Sequence, residues 1–195
     1  MEPREQTPDD LSRDAYNKGV RLIHAADDAA NDADKAKDTA KRQKYTDKAN
    51  DNYKRSLEKF ESSASLAPDM YQAWNYVGYA KRHLGDYDGA LEAYGHALSL
   101  NPSYFEAIEY RGHAYLGLNR LADAKQAYLA LFPANRKLAA QLLAGMQSYV
   151  DAHRTDAKGV DPKELEEFGK WVDERTVIAK QTAALTRDGS ASSWR

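Results

Sequence analysis

Tyr71-Gln72-Ala73-Trp74-Asn75-Tyr76-Val77-Gly78-Tyr79-Ala80 decides the fold, together with Leu84-Gly85-Asp86-Tyr87, Ala90, Ala93-Tyr94, Ala97-Leu98, Leu100 and Pro102 after it. Thirty-four residues later much of this pattern returns. Ala107, Tyr110, Gly112, Ala114, Leu118, Ala124, Ala127 and Tyr128 stand where Ala73, Tyr76, Gly78, Ala80, Leu84, Ala90, Ala93 and Tyr94 stood. Self-similarity at this period marks stacked helical hairpins, each burying its apolar face on the next. Small residues carry part of the argument. Gly78 and Ala90 fall where two helices pass closest, with Trp74, Tyr94 and Leu98 filling the wider space beside them. Asn101-Pro102 ends the second helix, because proline lacks an amide donor and restrains the residue before it.

These residues resemble the tetratricopeptide repeat, whose pattern is Trp-x2-Leu-Gly-x2-Tyr followed by Ala, an aromatic, Ala and Pro. Trp74, Val77, Gly78, Ala90, Tyr94, Ala97 and Pro102 match it, with Val for Leu and Lys81 in place of the tyrosine. The next repeat keeps Gly112, Tyr115, Ala124 and Tyr128 but has Ile108 for Trp, Leu131 for the last Ala, and an early Pro133. The resemblance implies an all-α fold, a right-handed superhelical array of antiparallel helical hairpins. It also resembles the small three-repeat proteins of bacterial envelopes and secretomes.

Outward from this centre, the first repeat is unusual. Tyr53, Ser56, Leu57, Phe60, Leu66 and Pro68 make a good second helix, but Lys37–Asn50 is too polar to be its first. Ala15-Tyr16-Asn17, followed by Gly19, Val20, Leu22 and Ile23, is the better candidate. The spacing leaves an excess of about 24 residues, roughly 18 Å of overhang if shared between two helices at about 1.5 Å per residue. In that reading an acidic arm (Asp27, Asp28, Asp32, Asp34) folds against a mainly basic one (Lys35, Lys37, Lys41, Arg42, Lys44, Lys48). Ala26, Ala29, Ala30, Ala33, Ala36 and Ala40 permit close approach, and exposed pairs at about 0.5 kcal/mol each fix the register. The alternative is one long helix from Leu11 to Ala49 turning at Asn50-Asp51-Asn52. No Gly or Pro between Val20 and Ala67 decides between them.

The expected organisation is a flexible segment over 1–10 and an elongated first hairpin over 11–69. Repeats over 70–103 and 104–136, capping helices over 137–186 and a flexible tail over 187–195 complete it. Leu138, Leu142, Leu143, Met146, Tyr149 and Val150 share one helix face. Asp161-Pro162-Lys163-Glu164 opens a last helix whose buried face is Leu165, Phe168, Trp171, Val172 and Val177.

Bulk properties narrow the function. The 195-residue chain has a net charge of −2, no cysteine and no long run of like charge, so neither thiolate chemistry nor a nucleic-acid-binding basic face is expected. Met1–Gln6 does not read as a signal peptide, and apolar stretches are short, so no membrane insertion is expected. As the chain reads it is soluble and cytoplasmic, or periplasmic or secreted if a leader was removed; the compartment stays open. No phosphate-binding glycine loop, HExxH or GxSxG motif appears, and His83, His96 and His113 lack spaced partners. The expectation is a non-enzyme with no cofactor and no metal.

The family resemblance implies a concave groove lined by the first helix of each hairpin and filled by a peptide. Carried onto this sequence, the lining is Asn17, Arg21, Gln72, Asn75, Tyr76, Tyr79, Arg82, His83, Glu106, Glu109, Tyr110 and His113, with Leu116 beside them. Asn75, Tyr79, Glu109 and His113 are expected to be exposed there, whereas Tyr76 and Tyr110 fit either groove or core. Some family members clamp the carboxyl terminus of a chaperone with Lys, Asn and Arg. Glu106 and Glu109 would repel such a terminus, so a mixed or basic partner suits these residues better. Two functions follow: an adaptor binding a protein or peptide, or a structural protein that self-assembles through groove or hairpin. An accessory subunit of an enzyme or secretion complex would read the same.

Overall fold

A computed structural model describes residues 6–154 and 159–187, without the side chains of 184–187. Among the described residues the protein is all-helical: α1 (Pro8–Lys35), α2 (Thr39–Leu66), α3 (Tyr71–His83), α4 (Tyr87–Leu100), α5 (Phe105–Gly117), α6 (Leu121–Ala134), α7 (Arg136–His153) and α8 (Pro162–Arg187). Consecutive helices pack as hairpins, and α3, α5 and α7 form a second row of neighbours. The polar connection expected before α8 and the tail beyond Arg187 lie largely outside the described residues.

α1 begins at Pro8 rather than Leu11, because Thr7 and Asp10 close a capping box. The Thr7 hydroxyl accepts from the Asp10 amide at 3.2 Å, and the Asp10 carboxylate accepts from the Thr7 amide at 3.1 Å. The chain then turns at Ala36-Lys37-Asp38, not at Asn50-Asp51-Asn52. Asp38 caps α2 by accepting from the Lys41 amide at 2.8 Å, and Arg42 donates to the Ala36 carbonyl at 2.9 Å. Both helices have 28 residues, about twice the 13 of α3 and 14 of α4.

Among the described residues no ion pair joins the acidic arm of α1 to the basic arm of α2. A seam of small residues sets their register instead. Ala26, Ala29, Ala33 and Ala49 are buried, while Ala40 is exposed. The Phe60 ring covers Gly19, and the Ser12 hydroxyl donates to the Ser63 carbonyl at 3.0 Å. Exposed charges on long side chains lose entropy on pairing and remain hydrated, so the seam prevails.

In the second hairpin Gly78 leaves space for the wholly buried Tyr94 ring. The turn between α3 and α4 places Gly85 at φ 84°, and the equivalent turn between α5 and α6 places Asn119 at φ 58°. Asparagine is the side chain that best tolerates this left-handed conformation after glycine. At the far end, α7 closes on α5: Leu142 fills the space over Gly112, and the His113 ring lies over Gly145. Phe168 and Val172 of α8 are fully buried in the last core, but Val177, expected on that face, is 52% exposed. In that turn it is Ala179, not Val177, that packs against the core shared by α5 to α8.

Candidate functional site

The first helices α1, α3 and α5 present a continuous row of aromatic rings. Tyr16 meets Tyr76 edge-on at 5.7 Å between centroids, Tyr76 meets Tyr79 at 6.2 Å, and Tyr79 meets Tyr110 at 5.0 Å. Phe60 stacks under Tyr76 at 4.8 Å, and Tyr71 meets Tyr104 at 4.9 Å. Edge-to-face packing places the electropositive rim of one ring on the face of the next, which holds the row in one arrangement.

Charged groups are fitted around these rings. Asp27 accepts from the Tyr53 hydroxyl at 2.6 Å and from the Tyr79 hydroxyl at 3.1 Å. Burial, reinforced by this carboxylate, pushes both phenols well above the usual tyrosine range, so both remain donors. Burial also pushes Tyr16 and Tyr110 up to about 12. The Arg82 guanidinium lies 5.2 Å from the Tyr79 ring centroid and 5.8 Å from that of Tyr110. Its Nη2 is 2.9 Å from His83 Nε2, and because arginine can only donate, the imidazole accepts there. Burial first, then the charge of Arg82, depress His83 to about 3, so the ring is neutral. A cavity of about 600 Å³ opens beside it, lined among others by Arg82, His83, His113, Leu116, Tyr149 and His153.

A consequence for pH follows from His83. In the unfolded chain it protonates near its ordinary value of 6.5, but in the folded chain only near 3. The unfolded state therefore takes up the proton first as pH falls. Between those values stability drops with falling pH, by up to about 1 kcal/mol per unit for a partly exposed ring. Thermal melts of wild type and His83→Gln from pH 7 to pH 4 should show a shallower decline in the variant. Parallel curves would remove His83 as the cause.

The family model described as TPR repeat matches residues 78–119, which span the second half of α3 and all of α4 and α5. Over those residues the chain is similar to a tetratricopeptide repeat. Among solved structures it is similar to the second TPR domain of human RPAP3, determined by NMR in complex with the HSP70 peptide SGPTIEEVD. The TM-score is 0.44 and the identity 22%, over 65% of this chain and 95% of that one. No curated protein matches the chain in sequence.

Within this array of helical hairpins, Tyr76, Tyr79, Arg82, His83 and Tyr110 come together as one cluster. Gln72 is half-buried and Glu106 exposed. Two residues expected to be exposed in the groove are core. Asn75 is 1% exposed, with its Oδ1 unpartnered among the described residues, and Glu109 is 5% exposed against His113 at 2.8 Å. Both lie at the same repeat position, 34 residues apart. Leu116, at 5% exposure, is likewise core at the cavity edge. Asn17 and Arg21 are exposed but joined to none of the cluster. Tyr16 and Asp27 are the α1 residues that reach it. They stand eleven residues apart, close to three full turns, so helix phase places them on one face. Tyr104 is the other residue that family offsets miss, since it precedes α5.

Tyr79 is therefore a packing residue as well as a lining one. Tyr79→Ala should cost about 2–4 kcal/mol, through lost ring contacts and an Asp27 carboxylate left with fewer donors. Tyr79→Phe should cost about 1 kcal/mol, the share of the hydrogen bond alone. Urea titrations of the two variants check both values; an unchanged midpoint for Tyr79→Ala would return the residue to a purely exposed role.

Among the described residues no group of three or more His, Asp or Glu side chains is placed to hold a metal, and no helix is long and apolar enough to cross a membrane.

Proposed function

We propose that this protein is a non-enzymatic adaptor that holds a peptide or protein segment along the concave row formed by α1, α3 and α5. Protein interaction is the general role of tetratricopeptide repeats. The observation that supports this site is the preorganised run of half-buried tyrosines from Tyr16 to Tyr110, with neutral phenols on their rims. Rigid aromatic side chains give contact area and a hydrogen-bonding tip with few rotors to freeze. On this reading residues 11–69, 70–103 and 104–136 are the binding units and 137–186 the cap. The doubled length of α1 and α2 makes their outer half a spacer or second contact.

Random peptides displayed on phage and selected on the purified protein provide the test, with bound peptides mapped by backbone amide shifts. The expected result is perturbation centred on Tyr76, Tyr104 and Tyr110. Perturbation confined to α2, α4 and α6, or no enrichment at all, overturns the reading. Sedimentation that rises with protein concentration and is reversed by a selected peptide would instead support self-assembly through the same face.

A further inference from the structure

Lys81 breaks the repeat pattern, and a groove opens beside it. Tyr115, which stands thirty-four residues later with the tyrosine of the pattern, packs against the core of α5 to α8. Leu98, at the repeat position of Ala64, packs there too. With lysine and alanine in those two places, the preceding repeat keeps a groove of about 450 Å³ between α2, α3 and α4, floored by Ala64, Pro68, Trp74, Val77 and Ala93. Lys81 lines this groove without closing it, and its Nζ lies 3.5 Å from Asp86. Trp74 stays half-buried, whereas Ile108 at the same repeat position is buried. The indole is fixed: its Nε1 donates to the Pro68 carbonyl at 2.9 Å, and the ring stacks on His96 at 4.7 Å. Trp74, Val77 and Lys81 follow at i, i+3 and i+7, on the face of α3 opposite Tyr76, Tyr79 and His83. The groove is therefore separate from the tyrosine row. At its rim Glu61 and Glu92 are exposed, and neither has an ion-pair partner among the described residues. The charge of Lys81 is already matched by Asp86, so the rim carries unpaired negative charge.

We propose that this groove docks a cationic amphipathic segment of a partner protein, with one apolar side chain seated on Trp74 and a lysine or arginine reaching Glu61 or Glu92. A tryptophan already held in one rotamer offers a large apolar face at little entropic cost, which is what a binding hot spot needs. Small residues on either side, Ala64 and Ala93, leave room for the entering side chain. The two carboxylates then select by charge: a cation beside the apolar residue pairs with them, and an acidic flank is repelled. This site does not depend on the tyrosine row and can be occupied together with it.

Three capped pentapeptides serve as probes: Lys-Lys-Leu-Lys-Lys, Glu-Glu-Leu-Glu-Glu and Lys-Lys-Ser-Lys-Lys. Each is titrated by NMR into protein labelled at tryptophan, valine and tyrosine. The first should shift the Trp74 indole and Val77 methyl signals saturably and leave Tyr76 and Tyr110 unmoved. The other two should bind more weakly by about tenfold or more, one for charge and one for the lost apolar contact. Glu61→Gln combined with Glu92→Gln should weaken the first peptide about tenfold, the sum of two exposed charge pairs, with the melting temperature unchanged. Lys81→Tyr should fill the groove and abolish the shifts without lowering the melting temperature. Equal binding of the glutamate or serine peptide, or full binding to the Lys81→Tyr variant, overturns the proposal. So does a fall in melting temperature for Lys81→Tyr, which would show that no space is there to fill. Shifts confined to the tyrosine row, or no shifts at all, also overturn it. Trp74 signals that move with protein concentration instead of peptide assign the groove to a second copy of this chain and overturn the cationic partner.

Discussion

Gly78→Ala is expected to destabilise the protein and Gly78→Leu to abolish its cooperative folding, whereas Gly95→Ala should stabilise it. All three changes place a larger residue within a helix of the same hairpin. Alanine gains about 1 kcal/mol over glycine in a helix interior, and this is the whole effect where space is free. Gly95 has nothing within 4 Å of an added Cβ. At Gly78 an added Cβ falls 2.6 Å from the Tyr94 ring. That ring cannot swing aside: Tyr94 is 0% exposed, as are Ala90 and Ala97 on the same helix. Overpacking costs about 1–3 kcal/mol for a few methylenes, and leucine adds more than alanine. A small repeat array with about 5–15 kcal/mol in total has little margin. Denaturant melts read all three. Similar gains for Gly78→Ala and Gly95→Ala would show that Tyr94 repacks freely and that the close contact is not limiting.

Gly78 was legible as a close-packing position because a small residue recurs there after 34 residues, but its partner was not: Ala90 was expected at the close approach, and it is the Tyr94 ring that lies over Gly78, while Leu142 fills the same space over Gly112. The large polar core residues were not legible. Asn75 and Glu109 look like groove residues because polarity places them on an open face. Their burial to 1% and 5% exposure is a property of the packed array, which no local period encodes. Asp27 was hidden for the opposite reason. It stands with Asp28, Asp32 and Asp34 and reads as one of a set, yet only its position on the helix face brings it to Tyr53 and Tyr79. The turn of the long hairpin was ambiguous because its signal is a single aspartate cap, Asp38, among many charged residues. Registry by small residues is likewise easy to miss beside so many opposite charges. Alanines at positions 26, 29 and 33 give a close-packed seam with little hydropathy contrast.

Phe60→Ala should separate the long hairpin from the rest of the array. Phe60 is 0% exposed and is the contact at which three elements meet. From α2 its ring covers Gly19 of α1, meets Tyr16 at 5.6 Å and stacks on Tyr76 of α3 at 4.8 Å with planes 10° apart. Truncation leaves a cavity that the α1–α2 seam cannot close, because the backbone there is already spaced by glycine. Phenylalanine-to-alanine changes of this kind cost about 3–5 kcal/mol. In a linear array each unit touches only its neighbours, so the loss falls on one interface rather than on the whole. Hydrogen exchange should show α1 and α2 opening well below the global unfolding free energy, with α5 to α8 almost unchanged. The thermal melt should divide into two steps. Tyr76 would also lose its stacking partner, so the tyrosine row should loosen at Tyr16 and Tyr76 while Arg82 remains on Tyr79 and Tyr110. Uniform loss of protection from α1 to α8 would show instead that the long hairpin and the repeats fold as one indivisible unit.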